Sequence, residues 1–183
     1  MATSIPIWAN PLTEPKRSYK FILNIAGIPA YVIKTVDRPS PTIGEAAHDF
    51  LIHKFKYPGK ITWNDINVTM ADPIDPDMSR KLLAFIRNAG YVYPGDFSPS
   101  PSDPNYFRKS LGKANMIDQI GQVTIDTIDT EGSTIETWKL NNVWVKSVTY
   151  AQGNYGSEEL IELSMALCYD WAELDSFTPI TDS

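Results

Sequence analysis

One run near the end of the chain, residues 160–169, constrains the fold more than any other stretch. Apolar side chains occupy every second position of it: Ile161, Leu163, Met165, Leu167 and Tyr169. Because successive side chains of a β-strand point to opposite faces, this stripe predicts a strand with one buried face. The alternate positions include Glu162 and Ser164, which favours a second face that meets water or a partner. The run predicts a closing strand of scaffold character, and not an active-site motif.

Size, cysteine content and charge narrow the class of protein. A chain of 183 residues can bury about 70% of its unfolded surface, so it needs neither disulfides nor a metal to fold. Its single cysteine, Cys168, excludes an intrachain disulfide and fits a reducing compartment. We see no secretory signal and no apolar run long enough to cross a bilayer, so we expect a soluble protein without a membrane partner. The net charge of −6 argues against tight binding of nucleic-acid phosphates.

The first part of the chain predicts an arm followed by short strands. Residues 1–17 contain three prolines and several apolar side chains and are typical of an extended N-terminal arm. Residues 19–25 and 30–36 predict an antiparallel pair of strands around the turn Gly27-Ile28-Pro29. Residues 37–47, with two prolines and a glycine, predict an exposed loop.

A long β-hairpin is predicted next. Residues 48–57 and 61–70 are two extended runs around Pro58-Gly59-Lys60, and a Pro-Gly pair suits the centre of a type II turn. One face of the second run is apolar (Ile66, Val68, Met70) and the other is polar (Trp63, Asp65, Asn67, Thr69). A hairpin of this length exposes more surface than one small core covers, so we expect it to reach beyond its own domain.

One clear helix is predicted over residues 75–89. Asp75 suits the N-cap, Pro76 the first helical position and Gly90 the end of the helix. A loop rich in proline and serine follows over residues 91–106, and residues 107–116 predict a short second helix.

The remaining elements complete a mainly β fold. Residues 119–128 and 134–140 predict another hairpin, and Asn141-Asn142 predicts a bulge because the apolar phase changes there. The total is seven or eight strands, mostly antiparallel. We therefore predict a β-rich α+β fold, an antiparallel β-sandwich or barrel with long hairpins and one flanking α-helix. Residues 18–174 form one domain in this interpretation, and residues 175–183 form a C-terminal tail.

No constellation for catalysis or metal binding emerges from the sequence. His48 and His53 are predicted to lie on opposite faces of one strand, where they cannot share a metal ion. Asp72, Asp75 and Asp77 lack the glycine and the distal glutamate of a calcium-binding loop. The nucleophile, phosphate-loop and dinucleotide motifs do not occur. We expect no cofactor, no metal site and no enzymatic activity.

Three segments, in their order along the chain, carry a resemblance to a known family. The first segment is KTVDRPSPTIGEA followed by HDFLIHKFKYPGKITWNDINVTMADP. It contains a W-x-x-x-x-V-T strand before an acidic turn. The helix PDMSRKLLAFIRNA follows, and TWKLNNVWVKSVTYAQGNYGSEELIELSMALCYDWAEL ends in the aromatic-acidic group Tyr169-Asp170-Trp171. Over residues 19–174 the chain thus resembles the major tail tube protein of contractile-tailed, T-even-like bacteriophages. It departs from that family where Val145 and Lys146 replace a proline after the tryptophan.

The resemblance implies a structural virion protein. Members of the family form hexameric rings that stack into the inner tail tube, and the long hairpins of six subunits join into one continuous lumenal β-barrel. The implied partners are further copies of the chain, the tail sheath outside, and the baseplate and tail terminator at the ends. The tape measure protein and double-stranded DNA would occupy the lumen without sequence-specific binding. Assembly would occur in the host cytoplasm and the product would reside in the virion tail.

The resemblance and strand alternation together suggest two sets of site residues. An acidic bore repels DNA and lets it slide. The candidates for lumen-facing residues are Asp65, Asn67, Glu158 and Glu162. The candidates for ring-stacking residues, drawn from the arm and from residues 37–47, are Trp8, Asp37, Arg38 and Glu45.

Two alternatives stay open from the sequence. The first is a baseplate tube protein or the tube protein of a related contractile injection system. The second is a monomeric β-sandwich module that binds sugars or peptides through an aromatic patch, formed by Tyr91, Tyr93, Phe97 and Tyr106.

Overall fold

The computed structural model describes residues 14–94, 110–156 and 158–176, which contain ten strands and two α-helices. The strands are β1 Phe21–Asn24, β2 Ile33–Val36, β3 Pro41–Phe50, β4 His53–Trp63, β5 Ile66–Ala71, β6 Val123–Ile128, β7 Thr134–Asn141, β8 Trp144–Tyr150, β9 Glu162–Cys168 and β10 Trp171–Ser176. The helices are α1 Met78–Asn88 and α2 Lys113–Ile120, and a 3-10 turn covers Ala30–Val32. None of the described helices combines the length and the apolar character that a bilayer span requires.

Two four-stranded antiparallel sheets enclose the core. The first sheet has the order β1-β6-β7-β10 and the second has the order β2-β5-β9-β8. Their apolar faces contribute to one buried cluster, to which α1 adds Met78 and Leu82. A third sheet consists of β3 and β4 alone. The predicted β-rich class with a flanking helix is confirmed, and a second helix accompanies it.

The alternating stripe of the sequence builds the centre of the second sheet. The register pairs Ile66 with Leu167, Val68 with Met165 and Met70 with Leu163, so two apolar stripes lie side by side. All six side chains are at most 1% exposed. Each such burial contributes about 1.5–3 kcal/mol to folding. The stripe is one residue position shorter than predicted, because Ile161 precedes β9 and is 54% exposed.

The first two strands do not form the predicted hairpin. β1 pairs with β6 in the first sheet, while β2 pairs with β5 in the second. The segment around the turn contains an isolated β-bridge between Ile25 and Ile28. Ile25, Ile28 and Val32 are buried in the shared core, so the chain gains more by crossing between the sheets than by pairing with itself.

A corner replaces the predicted bulge at Asn141-Asn142. Asn142 has a φ of 58°, and the chain there leaves β7 in the first sheet and enters β8 in the second. The change of apolar phase therefore marks a change of sheet. Another strand, β10, follows the predicted closing strand and pairs with β7, so the first sheet gains an edge that the sequence interpretation lacked.

Both helices begin later than predicted. Asp77, and not Asp75, is the N-cap of α1, and its carboxylate accepts a hydrogen bond of 2.8 Å from the Arg80 N–H. The Asp72 carboxylate accepts a further bond of 3.0 Å from the Met78 N–H, so two acids satisfy the first turn. α2 starts at Lys113, while residues 107–109 of its predicted range lie outside the described residues.

Candidate assembly surfaces

A long hairpin of β3 and β4 extends from the sandwich. Its strands have 10 and 11 residues and pair with each other, from Pro41 opposite Trp63 to Phe50 opposite His53. The turn is therefore at Leu51-Ile52, and the turn predicted at residues 58–60 is wrong. The exposed loop predicted over residues 37–47 is also wrong from residue 41 onward, where β3 begins.

Gly59 and Lys60, directly after Pro58, form a bulge within β4. The register passes from Ile43 opposite Ile61 to Glu45 opposite Pro58, so two residues of β4 oppose Gly44 alone. A Cβ atom on Gly59 would lie 3.0 Å from the carbonyl carbon and oxygen of Gly44. Glycine is required there by this close approach of two backbones. The same residues that favour a turn in the sequence thus permit a kink in a continuous strand.

Beyond the bulge the hairpin has two chemically different faces. Register and alternation assign Glu45, Asp49, Lys54 and Lys56 to a charged face. Two ion pairs cross it, Lys56 to Glu45 at 3.0 Å and Lys54 to Asp49 at 3.7 Å. The opposite side, which we call the aromatic face, comprises Ala46, His48, Phe50, His53, Phe55 and Tyr57.

The aromatic face and the tip of the hairpin are exposed. Phe50 and Tyr57 each expose more than half of their surface, and at the tip Leu51 is 89% and Ile52 is 105% exposed. His53 lies edge-on to Phe55 with ring centroids 4.7 Å apart. The two histidines lie on different strands but on this one face, contrary to the prediction. The described residues contain no group of three or more potential metal ligands around them.

The base of the hairpin is fixed to the core. The Trp63 ring lies 5.9 Å from the ring of Tyr169, a residue that is 5% exposed. Burial raises the pKa of Tyr169 to about 12, so its hydroxyl stays protonated at neutral pH. Asn64 donates its backbone N–H to the Ser40 carbonyl at 3.0 Å across the base. The hairpin is thus held at one end only, and isolated two-stranded hairpins are marginally stable in water.

Tyr169-Asp170-Trp171 forms a second anchored corner. The Asp170 carboxylate accepts bonds from Lys113 of α2 at 2.6 and 2.7 Å and from the Asn142 side chain at 2.7 Å. These contacts, the lysine above all, lower the pKa of Asp170. The aromatic-acidic group in the sequence therefore connects α2 with the corners of both sheets.

The outward side of the second sheet, here called the polar face, collects two of the lumen candidates. Asn67 of β5 and Glu162 of β9 lie on this side, beside Ser164 and Ala166. Asp65 precedes β5, and Glu158 lies before β9 outside the strands.

Lysines neutralise two of these carboxylates. Lys34 forms an ion pair with Glu162, and Lys146 forms one with Asp65. Both pairs are partly exposed to solvent, which screens them, so they contribute little to stability. The charges of Lys34, Lys146, Asp65 and Glu162 on the polar face therefore sum to zero.

The described ring-stacking candidates have partners within the chain. The Asp37 carboxylate accepts bonds of 3.1 and 2.9 Å from the backbone and side-chain nitrogens of Asn67. Arg38 donates to Thr127 at 3.3 Å and lies 3.6 Å from the carboxylate of Glu136. Glu45 belongs to the charged face. Trp8 lies outside the described residues.

Glu136 is a buried acid that the sequence interpretation missed. Its side chain is 9% exposed, and its carboxylate forms ion pairs with both Lys16 and Arg38. Burial alone would raise the pKa of Glu136, but the two cations outweigh it and the pKa is lowered. The hairpin tip was missed too, although the consecutive apolar residues 50–52 between charged positions are a signal that could have found it.

The aromatic patch of the binding-module alternative is only partly described. Tyr91 and Tyr93 meet edge to face at 5.3 Å, and Arg87 lies 4.8 Å above the Tyr93 ring. Phe97 and Tyr106 lie outside the described residues. One face of the Tyr93 ring is thus already covered by the guanidinium of Arg87.

Comparison with known proteins identifies the fold. No protein-family profile matches this sequence, and no curated protein matches it significantly. A chain of the anti-feeding prophage baseplate, solved with six-fold symmetrisation, is similar with a TM-score of 0.59 and 11% identity over 90% of this chain and 98% of that chain. A chain of the cap that terminates the anti-feeding prophage tube has a TM-score of 0.57 and 14% identity, over 96% of this chain and 100% of that one.

A third solved structure extends the likeness to an assembled sheath and tube. A chain of the PVC sheath-tube complex, an extracellular contractile injection system in its extended state, has a TM-score of 0.57 and 16% identity. The match covers 91% of this chain and 95% of that chain. The described sandwich, helices and long hairpin therefore share their fold with chains of contractile injection systems.

Proposed function

We propose that this protein is a structural subunit of a contractile tail, assembling as stacked hexameric rings into the inner tube. The observation that carries the proposal is the exposed aromatic face of the hairpin, which extends from a sandwich that is already packed. Large exposed apolar patches on soluble proteins mark interaction sites. A neighbouring subunit in a ring or in the next ring supplies the missing cover, and a head-to-tail contact closes when its rotation divides a full turn.

The polar face of the second sheet is our candidate for the bore. Its strands carry small polar side chains such as Asn67 and Ser164, and its carboxylates are paired with lysines. A surface without excess positive charge does not retain nucleic acid by counterion release. We propose that Asp65, Asn67, Glu158 and Glu162 face the lumen and that DNA passes through it, with the tape measure protein inside before ejection.

The ends and the outside of the tube define the remaining partners. We propose that the sheath surrounds the tube and that baseplate and terminator proteins close its ends, as in the assemblies whose chains share this fold. The protein then belongs to the virion tail. A subunit at the baseplate end of the tube is the second candidate, because the baseplate chain of the anti-feeding prophage shares the fold over 98% of its length.

Negative-stain electron microscopy of the purified protein, dilute and concentrated, tests the proposal. We expect rings with a central hole that stack into hollow tubes as concentration rises. Single rings that never stack would favour the baseplate candidate. Monomers at every concentration, confirmed by analytical ultracentrifugation, would contradict both candidates and favour a binding module.

A further inference from the structure

Both histidines of the chain lie on the aromatic face of the hairpin. The sequence contains two histidines, His48 and His53. The register places His48 opposite Phe55 and His53 opposite Phe50, so each imidazole has a phenyl ring on the facing strand. His53 also meets Phe55 edge-on, with ring centroids 4.7 Å apart. Because imidazole changes its charge between about pH 5 and 8, the histidine response of the whole chain to pH is concentrated on this one face.

The hairpin brings no carboxylate to the aromatic face. Besides the two imidazoles, the titratable side chain on this face is the phenol of Tyr57. The nearest charged groups along the chain, Asp49 and Lys54, lie on the charged face and pair with each other at 3.7 Å. Glu45 and Lys56 pair there in the same way at 3.0 Å. Since β3 and β4 form a sheet of their own, an imidazolium on the aromatic face of the free subunit is stabilised chiefly by water.

A neighbouring copy that covers the aromatic face removes this water. Phe50 is 59% and Phe55 is 44% exposed, and a surface that buries both rings also covers the imidazoles between them. A neutral imidazole has one donor and one acceptor and is tolerated in an interface. An imidazolium among phenyl rings loses its hydration without gaining a counterion, and burial disfavours the charged form of histidine. Protonation of this face and association through it therefore oppose each other.

We propose that association through the aromatic face is controlled by pH, with the imidazoles of His48 and His53 neutral in the assembled state. The inference rests on the proposed function, since it requires a neighbouring copy to cover this face. By linkage, assembly releases the protons that the two imidazoles bind in the free subunit, so acid opposes assembly and a rise in pH through neutrality favours it. One pH unit below the titration range lowers the association constant about tenfold for each imidazole, or about 100-fold for both.

Sedimentation of assembled protein across a concentration series, at pH 5.5, 6.5 and 8, tests the inference. We expect wild-type protein to require about 100-fold more protein for assembly at pH 5.5 than at pH 8. The double variant H48Q/H53Q keeps polar, uncharged side chains and should assemble at one concentration throughout. K54Q is the matched control, because it removes a charge from the charged face of the same hairpin and should retain the wild-type pH dependence. The net charge of −6 diminishes in acid, which favours nonspecific association and thus acts against the expected direction.

Calorimetry of wild-type assemblies on dilution, in two buffers of different ionisation enthalpy, counts the protons independently of any variant. At pH 6.5 we expect assembly to release about one proton per subunit, half a proton from each imidazole. Assembly that does not change with pH, that is favoured by acid, or that releases no proton would overturn the inference and leave the proposed function intact. The same holds if H48Q/H53Q assembles with the wild-type pH dependence. Protein that assembles at no pH would overturn both.

Discussion

The tip of the hairpin offers the most discriminating test of assembly. Ile52 is 105% exposed, so replacing it with aspartate removes no contact within the chain and should change the free energy of unfolding by less than about 0.5 kcal/mol. If a neighbouring subunit covers this side chain, its burial contributes about 1.5–3 kcal/mol to each contact. Placing an uncompensated carboxylate in the same site adds a desolvation cost that exceeds the roughly 1–3 kcal/mol of a neutral polar group.

Together these effects amount to at least about 2.5 kcal/mol for each subunit contact. Because 1.4 kcal/mol is tenfold in an association constant, I52D should raise the concentration required for assembly by roughly 60-fold or more. Sedimentation of assembled protein across a concentration series measures this shift, and thermal unfolding of the dilute protein reports the fold.

Ile74 supplies the matched control, since it is 99% exposed in the connection between β5 and α1. The I74D variant should assemble as the wild type does. The reasoning is refuted if I52D assembles at the wild-type concentration, or if I74D impairs assembly to the same extent.

Three further predictions concern the hairpin bulge, a corner and the core. G59A should destabilise the hairpin by about 1–3 kcal/mol, because the added Cβ would lie 3.0 Å from the facing backbone of β3. G153A is the control, since a Cβ there has no atom within 4 Å. Amide exchange of β3 and β4 measures both variants, and equal exchange rates would contradict the bulge. The lowered pKa of Asp170 adds stability that is complete above its unfolded pKa of about 3.9 and disappears as pH falls through the folded value. D170N should therefore lower the unfolding free energy by up to about 1 kcal/mol at pH 7 and by less at pH 3 in urea titrations, and a pH-independent difference would count against the ion pair. M165A should cost about 2–5 kcal/mol in the same titrations, while S164A on the polar face should stay within about 0.5 kcal/mol.

Alternating hydrophobicity was sufficient to predict the central strands. The stripes over residues 66–70 and 163–167 each have one buried face, and the structure pairs them directly. The period-two pattern shows which face of a strand is buried, and strands of both sheets have one buried face. It carries no information on which sheet a strand joins, so the crossing from β1 to β2 and the corner at Asn142 could not be read from it.

Turn chemistry was misleading in the hairpin for a related reason. Proline and glycine allow a backbone to turn, but they equally allow a bulge where two strands approach closely. Gly59, directly after Pro58, serves the second purpose, and the reversal occurs at Leu51-Ile52, which has no typical turn residue. Local preference favoured residues 58–60, while the register of nine cross-strand pairs placed the turn elsewhere.

The two faces of the hairpin also separate an assembly subunit from a monomeric binding module. In a monomeric binding module, a hairpin that exposes Phe50, Phe55 and Tyr57 to water would be unfavourable, because exposed apolar strands promote aggregation. The opposite face carries the ion pairs of Glu45 with Lys56 and Asp49 with Lys54, which keep one side compatible with water. Such one-sided character directs association to one face of the hairpin, and a head-to-tail contact between that face and a different surface of the next copy closes into a ring when its rotation divides a full turn.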